Sequence, residues 1–217
     1  MPTDKKCLLC HKRLQDNQTL LQYILADRLC CSCRRSLKIQ RRTFYLQDLK
    51  VTCFGVYEGE LADALLQYKE CMDEALKDIF LFDVKEWISW HYRFCVLLCA
   101  PSSEQRLEKR GFQHVHELFR QCGIPVLDCF VKTQDISQKQ ASLKDRNKIQ
   151  DHLAFKKGVS LPEKRVILID DTVTTGNTLL SLQKLIGKDR CKEALCLCAH
   201  PKLLAEYDKK RKGKCIY

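Results

Sequence analysis

The chain has 217 residues, of which 45% are apolar and 30% charged. That length is enough for one sizeable core and a small additional module. No segment approaches the roughly 20 apolar residues of a membrane-spanning helix, and the first ten residues lack the apolar stretch of a secretion signal. We therefore expect a cytoplasmic protein without a membrane span, whose thiols stay reduced.

The formal net charge of +11 is concentrated at the two ends of the sequence. Residues 1–50 contain 11 Lys and Arg against 4 Asp, and residues 208–217 contain 5 against 1, whereas the segment between them is balanced. Basic segments favour a polyanionic partner such as nucleic acid, because their cations release counterions from phosphates. The alternative is a basic metal-binding module at one end and a solubilising, disordered tail, KKRKGK at 209–214, at the other.

Cysteine spacing near the amino terminus is typical of a zinc site. Two C-x2-C pairs are separated by nineteen residues and contain Cys7, Cys10, Cys30 and Cys33. Four thiolates at this spacing bind Zn²⁺ tetrahedrally, although His11 and Cys31 lie close enough to replace a ligand. A short polar segment needs the metal in order to fold, so the zinc is predicted to be structural. We predict a zinc module at 1–42 and a main domain at 43–217.

The segment that leaves this module, RRSLKIQRRTFY, alternates basic clusters with two aromatic residues, Phe44 and Tyr45. Such alternation is typical of a surface that contacts phosphates and bases. It is equally typical of a solvated linker whose aromatic side chains anchor it to the next domain.

Beyond residue 50, strand-like and helix-like patterns alternate. The predicted strands are 51–57, 93–100, 125–132, 165–170 and 193–199. The predicted helices are one or two within 60–90, then 112–122 and 176–187. This order predicts an α/β fold with a mostly parallel sheet flanked by helices on both faces. In such sheets, ligands bind beyond the carboxyl ends of the strands.

The stretch VILIDDTVTTGNTL, residues 166–179, places a carboxylate pair at such a strand end. Asp170 and Asp171 precede a predicted loop of Thr172, Val173, Thr174, Thr175, Gly176, Asn177 and Thr178. Backbone N–H groups and the amino end of the next helix converge there, which is typical of an anion-binding loop. Carboxylates accept hydrogen bonds from sugar hydroxyls. The pattern therefore predicts a phosphorylated ribose as the ligand, whereas simple capping of the helix would explain only one of the two aspartates.

Two acidic residues followed by T-T-G-x-T resemble the phosphoribosyl pyrophosphate (PRPP) motif of type I phosphoribosyltransferases. The resemblance implies a phosphoribosyltransferase-like fold. It also implies that Asp170 and Asp171 hold the ribose 2′ and 3′ hydroxyls, and that the segment from Thr172 to Thr178 holds the 5′-phosphate. Mg²⁺ is expected to accompany PRPP.

The order of further segments is similar to that of ComF-type competence proteins. These segments are FGVYEGELADALLQYKE, APSSEQRLEKRGFQH and DISQKQASLKDRN. The second resembles a family stretch from which we predict a pyrophosphate loop of Pro101, Ser102, Ser103, Arg106 and Arg110, with a solvated basic loop as the alternative. Lys69 and Arg146 are further candidates. Cys99, Gln113 and His114 stand where the family has Pro, Asn and Gln.

Two histidines of the predicted helix at 112–122 are not included among the candidate residues. His114 and His116 are two residues apart, so they point in different directions on a helix, and both are predicted to lie at the surface.

The ComF resemblance implies a competence protein that binds PRPP or a related phosphoribosyl ligand. It also implies that the protein assists the uptake or handling of single-stranded DNA, with a helicase-type component of the uptake machinery as partner. An alternative is an active phosphoribosyltransferase that releases pyrophosphate from PRPP onto a nitrogen acceptor. A third possibility is that the phosphoribosyl ligand regulates a binding protein without turnover.

Overall fold

The computed structural model describes residues 5–102, 104–132 and 153–213. The helices are α1 Leu20–Ile24, α2 Cys31–Ser36, α3 Gly59–Glu70, α4 Lys77–Phe80, α5 Lys85–His91, α6 Glu104–Arg110, α7 His114–Arg120, α8 Asn177–Ile186 and α9 Pro201–Gly213, with a 3₁₀ turn at Glu74–Leu76. The strands are β1 Arg42–Leu46, β2 Leu49–Cys53, β3 Cys95–Cys99, β4 Val126–Leu127, β5 Phe130–Lys132, β6 Leu153–Phe155, β7 Arg165–Val173 and β8 Glu193–Ala199. Among these residues, no helix is long and apolar enough to cross a membrane.

The main sheet has the strand order β1-β2-β8-β7-β3-β4 within the described residues. β1 and β2 form an antiparallel hairpin, and the other neighbouring pairs are parallel. The prediction of a mostly parallel α/β sheet is therefore confirmed. β7 lies between β3 and β8, so both of its edges are hydrogen-bonded.

The central strand β7 is apolar on both faces, as expected for a parallel strand covered by helices. Ile167 and Ile169 belong to a core that includes side chains of α3, α4, α5 and α7. Val166 and Leu168 belong to a second core on the opposite face, with α8, α9 and β5. The alternation follows from the two-residue period of a strand.

Outside the candidate site, the structure corrects three predictions of secondary structure and selects, for Phe44, the anchoring alternative over base contact. The strand predicted at 125–132 is two strands, because β5 leaves the main sheet and pairs with β6, where Phe130 packs on Phe155 with ring centroids 5.3 Å apart. Phe44 is buried, with its ring centroid 5.8 Å from that of Tyr207, and so it is not available to stack on a base. The predicted disordered tail is helical to Gly213, where α9 ends. β7 also extends beyond its predicted end at 170.

Candidate functional site

The carboxylate pair lies near the carboxyl end of β7 but still within the strand. Pairing with β8 continues through Thr172 and Val173, opposite Cys198 and Ala199. The predicted loop is therefore shorter than expected, since its first two residues belong to β7 and its last two to α8. The turn that remains is residues 174–176.

Asp171 is buried and holds two partners on a single oxygen. Its Oδ2 lies 2.6 Å from Lys69 Nζ and 2.5 Å from His114 Nε2. Burial by itself would raise the pKa of this carboxyl, but the hydrogen bond from His114 and the positive charge of Lys69 hold the pKa of Asp171 well below its ordinary value. Asp171 is consequently an ionised carboxylate.

Asp170 is in a different electrostatic state from its neighbour. It is half-buried, and its Oδ1 accepts a hydrogen bond of 2.8 Å from the backbone N–H of Asp171. Burial, followed by the negative charge of Asp171, raises the pKa of Asp170 to about 7, although Lys69 and Lys132 partly oppose this. Two adjacent carboxyls therefore differ in their affinity for a proton.

The turn after β7 brings its backbone to the amino end of α8. Thr174 and Thr175 are exposed, and Asn177 N–H lies 3.4 Å from Thr175 Oγ1. Gly176 has φ +79°, and a Cβ there would lie 2.2 Å from Leu46 Cδ1. The left-handed backbone conformation therefore favours glycine here, and the missing Cβ also leaves room for the Leu46 side chain. The N-cap residue Gly176 has no side chain to cap α8, and within the described residues Thr175 Oγ1 is the only side-chain atom that accepts from an N–H of the first turn, that of Asn177.

The predicted pyrophosphate segment begins beside the end of β7, and of its described residues only Pro101 and Ser102 lie outside a helix. Ala100 N–H donates to Ile169 O at 2.9 Å, which places the buried Pro101 and half-buried Ser102 next to the end of β7. Ser103 and the candidate Arg146 lie outside the described residues.

The basic part of that segment is a helix and not a loop. Arg106 and Arg110 both belong to α6. Arg110 is buried, with Nη2 2.8 Å from Glu70 Oε1 and Nη1 3.0 Å from His114 Nδ1. Its guanidinium is already hydrogen-bonded, contrary to the expectation that it faces a pyrophosphate.

The prediction that His114 lies at the surface is wrong. It is the first residue of α7 and is buried between Arg110 and Asp171. A histidine at a position where ComF-type proteins have Gln could have drawn attention to His114. The sequence alone does not show that its partners are Arg110 and Asp171. His116 is half-buried and contacts Glu117 at 3.2 Å, away from the network of His114.

Two lysines of the ribbon formed by β5 and β6 are not among the residues that the sequence patterns identify. Lys132 ends β5 and acts electrostatically on Asp170. Lys156 follows β6, and its Nζ lies 2.5 Å from Asp128 Oδ2. Asp128 also accepts a hydrogen bond from Gln113. The sequence predicts one continuous strand at 125–132, so it does not predict the pairing of β5 with β6. That pairing positions Lys132 at the end of β5 and Lys156 just after β6.

A second candidate site is the cluster of four cysteines. The sulfur atoms of Cys7, Cys10, Cys30 and Cys33 all lie within 4.8 Å of one another. Thiolates about 2.3 Å from a tetrahedral zinc would be about 3.8 Å apart, so the set fits Zn²⁺. Burial opposes ionisation of Cys7, but N–H groups of Cys10, Cys30 and Leu9 lower its pKa to about 7, whereas burial and the neighbouring thiols raise the pKa of Cys33. Cys7 is therefore the sulfur of this pair that ionises more readily.

The two alternative zinc ligands lie outside that cluster. The Cys31 thiol lies 2.9 Å from Gln22 Oε1, and His11 is exposed. The geometry therefore selects the four cysteines of the C-x2-C pairs.

The zinc module packs against the main domain. Leu14, Leu29 and Leu37 are buried in the same core as Leu76 and Phe80. A buried ion pair joins Arg34 to Asp27 within the module, and Arg34 Nη1 also donates to Ile79 O at 2.6 Å. The boundary predicted at residue 42 coincides with the start of β1, but the core is continuous across it.

Comparison with known proteins identifies the family of this chain. The family model described as "Phosphoribosyl transferase domain" matches residues 74–216 of this chain. The chain belongs to the phosphoribosyltransferase family. A curated relative, competence protein ComFC of Streptococcus pneumoniae strain ATCC BAA-255 / R6, is 27% identical, and the match covers 87% of this chain and 96% of the relative. Together with the four-cysteine cluster, this confirms the predicted ComF-type organisation.

Solved phosphoribosyltransferases are structurally similar at low sequence identity. Orotate phosphoribosyltransferase from Aeropyrum pernix is 14% identical with TM-score 0.36, over 80% of this chain and 87% of that one. The purine phosphoribosyltransferase from Pyrococcus horikoshii Ot3 is 19% identical with TM-score 0.32, over 58% and 74%.

Proposed function

We propose that this phosphoribosyltransferase-family protein binds PRPP at the carboxyl edge of its sheet and assists the handling of single-stranded DNA in natural transformation. The observation that carries the ligand assignment is the juxtaposition of Asp170 and Asp171 with the turn leading into α8. One part of that arrangement accepts hydrogen bonds and the other donates them. A phosphorylated ribose needs both.

In the proposed complex, the carboxyls of Asp170 and Asp171 accept hydrogen bonds from the ribose 2′ and 3′ hydroxyls. The backbone N–H groups of residues 174–178 and the threonine hydroxyls there hold the 5′-phosphate. Pro101 and Ser102 border the pyrophosphate, and Lys69 and Lys132 supply positive charge. Mg²⁺ bound together with PRPP would neutralise part of the pyrophosphate charge.

Calorimetry with PRPP and Mg²⁺ tests this assignment. Replacing both carboxyls, Asp170→Asn and Asp171→Asn, is expected to weaken binding by a factor of about 100 or more, because hydrogen bonds to charged groups contribute about 1.5–3 kcal/mol each. Asp189→Asn, at an exposed position on the same domain, is the matched control and should bind as the wild type does. Unchanged affinity in the double variant would show that the ribose lies elsewhere.

The DNA part of the proposal is supported by a second surface, built from aromatic and basic side chains. We call it the aromatic surface: Arg41, Trp87, Trp90, Arg93 and Phe94. It lies on and around α5, which precedes the amino end of β3. The side chains of Trp90 and Phe94 are 70% and 73% exposed, and the Arg93 guanidinium lies 5.0 Å and 4.5 Å from their ring centroids.

A second pairing of an arginine with an aromatic ring lies farther along α5. The Arg41 guanidinium lies 4.2 Å from the ring centroid of Trp87, which stacks on His91 at 4.9 Å. Exposed rings alternating with cations are typical of surfaces on which the bases of a single strand stack while arginines contact phosphates. The excess of basic residues in the first 50 positions supports the same partner.

Fluorescence anisotropy with a labelled oligothymidylate tests the DNA proposal. The double change Trp90→Ala and Phe94→Ala is expected to weaken binding about tenfold or more, since stacking contributes about 1–3 kcal/mol per base. Tyr23→Ala removes an exposed aromatic side chain from α1 and serves as the control. Binding that does not weaken as salt rises, or that is equal in the double variant and the control, would contradict the proposal.

Turnover of PRPP is the alternative function, and the ionised state of Asp171 favours it. A fixed carboxylate beside the ribose would stabilise the positive charge that develops on the sugar as pyrophosphate departs. The experiment is pyrophosphate release from PRPP in the presence of a panel of nitrogen bases. Release with one base, abolished by Asp171→Asn, would make the protein an enzyme. Binding without release across the panel would support a binding or regulatory role.

A further inference from the structure

We propose that His114 is a positioning residue, which orients Asp171 for the ribose through an N–H donated from Nε2. The inference rests on the proposed PRPP site. His114 itself is not placed against the ligand; it acts through the carboxylate, from which it is separated by 57 positions in the sequence.

The tautomer of His114 follows from the chemistry of its neighbour on α6. Arg110 Nη1 lies 3.0 Å from Nδ1 of the histidine. A guanidinium has donors only, so Nδ1 must accept. The ring proton is therefore on Nε2, which lies 2.5 Å from Asp171 Oδ2 and donates to it. Arg110 thus fixes which nitrogen faces the carboxylate.

The position of Arg110 is fixed in turn from α3. Glu70 Oε1 accepts from Arg110 Nη2 at 2.8 Å, while the adjacent Lys69 contacts Asp171 at 2.6 Å. Tyr68 donates its hydroxyl hydrogen to the backbone O of His114 at 2.9 Å. Three consecutive residues of α3 therefore hold both ends of the network and the backbone of the histidine.

These contacts fix the orientation of the Asp171 carboxylate. Lys69 and His114 both contact Oδ2, and within the described part of the chain no hydrogen bond is made to Oδ1. Oδ1 is then the atom presented to a sugar hydroxyl, and the carboxylate cannot rotate without losing two charge-assisted contacts. The Gln that ComF-type proteins have at this position also carries N–H donors, so the substitution by His preserves the donor.

Calorimetry with PRPP and Mg²⁺ on three variants tests the proposal. His114→Leu removes the donor and is expected to weaken PRPP binding about tenfold, whereas His114→Gln restores an N–H and should recover most of that loss. His116→Leu, on the same helix but outside the network, should bind as the wild type does. Recovery by Gln separates positioning from a requirement for the bulk of the ring. Equal affinity in His114→Leu and wild type, or equal losses in the Leu and Gln variants when both are folded, would overturn the inference.

A ¹H–¹⁵N correlation spectrum of the histidine side chains gives a readout that does not depend on PRPP. The wild type should show His114 with its proton on Nε2, and the assignment is made by loss of that signal in His114→Gln. A proton on Nδ1 would overturn the inference even if PRPP binds. Absence of PRPP binding by the wild type, together with the Nε2 tautomer, would instead overturn the proposed ligand and leave the hydrogen-bond network standing.

Discussion

The four cysteines come from the first 33 residues, whereas the network of Lys69, Glu70, Arg110, His114 and Asp171 joins α3, α6, α7 and β7. The cysteine cluster is built from local turns and is predicted to depend on one zinc ion. The carboxyl edge depends on charges that only the complete fold brings together. The two regions should therefore fail differently: the first on loss of its metal, the second on loss of a single charge.

Removing the zinc is expected to have the largest effect. Cys30→Ser deletes a buried ligand, and the module shares a core with the main domain, so we expect loss of the ion and a Tm lower by about 10 °C or more. Metal analysis and thermal unfolding measure the two effects. Cys71→Ser, at an exposed thiol outside the cluster, is the control. A variant that keeps the wild-type Tm without zinc would show that the shared core alone maintains the module.

Breaking the charge network at the carboxyl edge is expected to rank second. Asp171→Asn leaves the Lys69 ammonium, whose side chain is only 15% exposed, without its carboxylate. Such a buried unpaired charge costs about 3–5 kcal/mol, which urea unfolding measures. The exposed pair of Lys188 and Asp48, whose side chains are 59% and 48% exposed, provides the comparison, and Asp48→Asn should hardly move the midpoint. Equal midpoints for both variants would remove the distinction between the two kinds of ion pair.

The smallest expected effect depends on pH and separates the two aspartates. Because the pKa of Asp170 is raised from 3.8 to about 7, the folded state retains a proton that the unfolded state releases. The free energy of unfolding of the wild type therefore falls as pH rises through this interval. Asp170→Asn has no such proton to lose, so it should be more stable than wild type at pH 8, with little difference at pH 4. About three pKa units correspond to about 4 kcal/mol, which solvent screening at this half-buried side chain reduces to about 2 kcal/mol.

Urea unfolding at both pH values measures this difference. A gain that is the same at pH 4 and pH 8 would mean that Asp170 does not take up a proton in the folded protein. Asp189→Asn, which is exposed, should show no such dependence on pH.

The sequence predicts the cysteine cluster more fully than the carboxyl edge. Zinc ligands are recognisable because the C-x2-C turn is local, and the structure adds only the exclusion of Cys31 and His11. The aspartate pair is recognisable for a similar reason, since a strand and the turn after it are adjacent in sequence. The sequence also identifies Lys69 as a candidate ligand-binding residue, but it does not predict the contact with Asp171.

The remaining parts of the edge depend on how distant elements pack. Whether His114 points outward or inward depends on the docking of α7 against β7, which helical periodicity over seven residues does not determine. Arg110 was predicted to face a ligand because basic residues after a buried strand favour phosphate, but Glu70 reaches it first from another helix. The division between β4 and β5 likewise depends on a partner strand, β6, more than 20 residues later in the chain.

The contacts made at the end of α3 determine where this helix tolerates an inserted residue. Successive residues of an α-helix point about 100° apart, so Tyr68, Lys69 and Glu70 reach three different neighbours only because the helix end is enclosed on three sides. Inserting one residue before Tyr68 would rotate all three away from their partners at once. Insertions are expected to be accommodated instead just past the helix, at the exposed residues Cys71 and Met72.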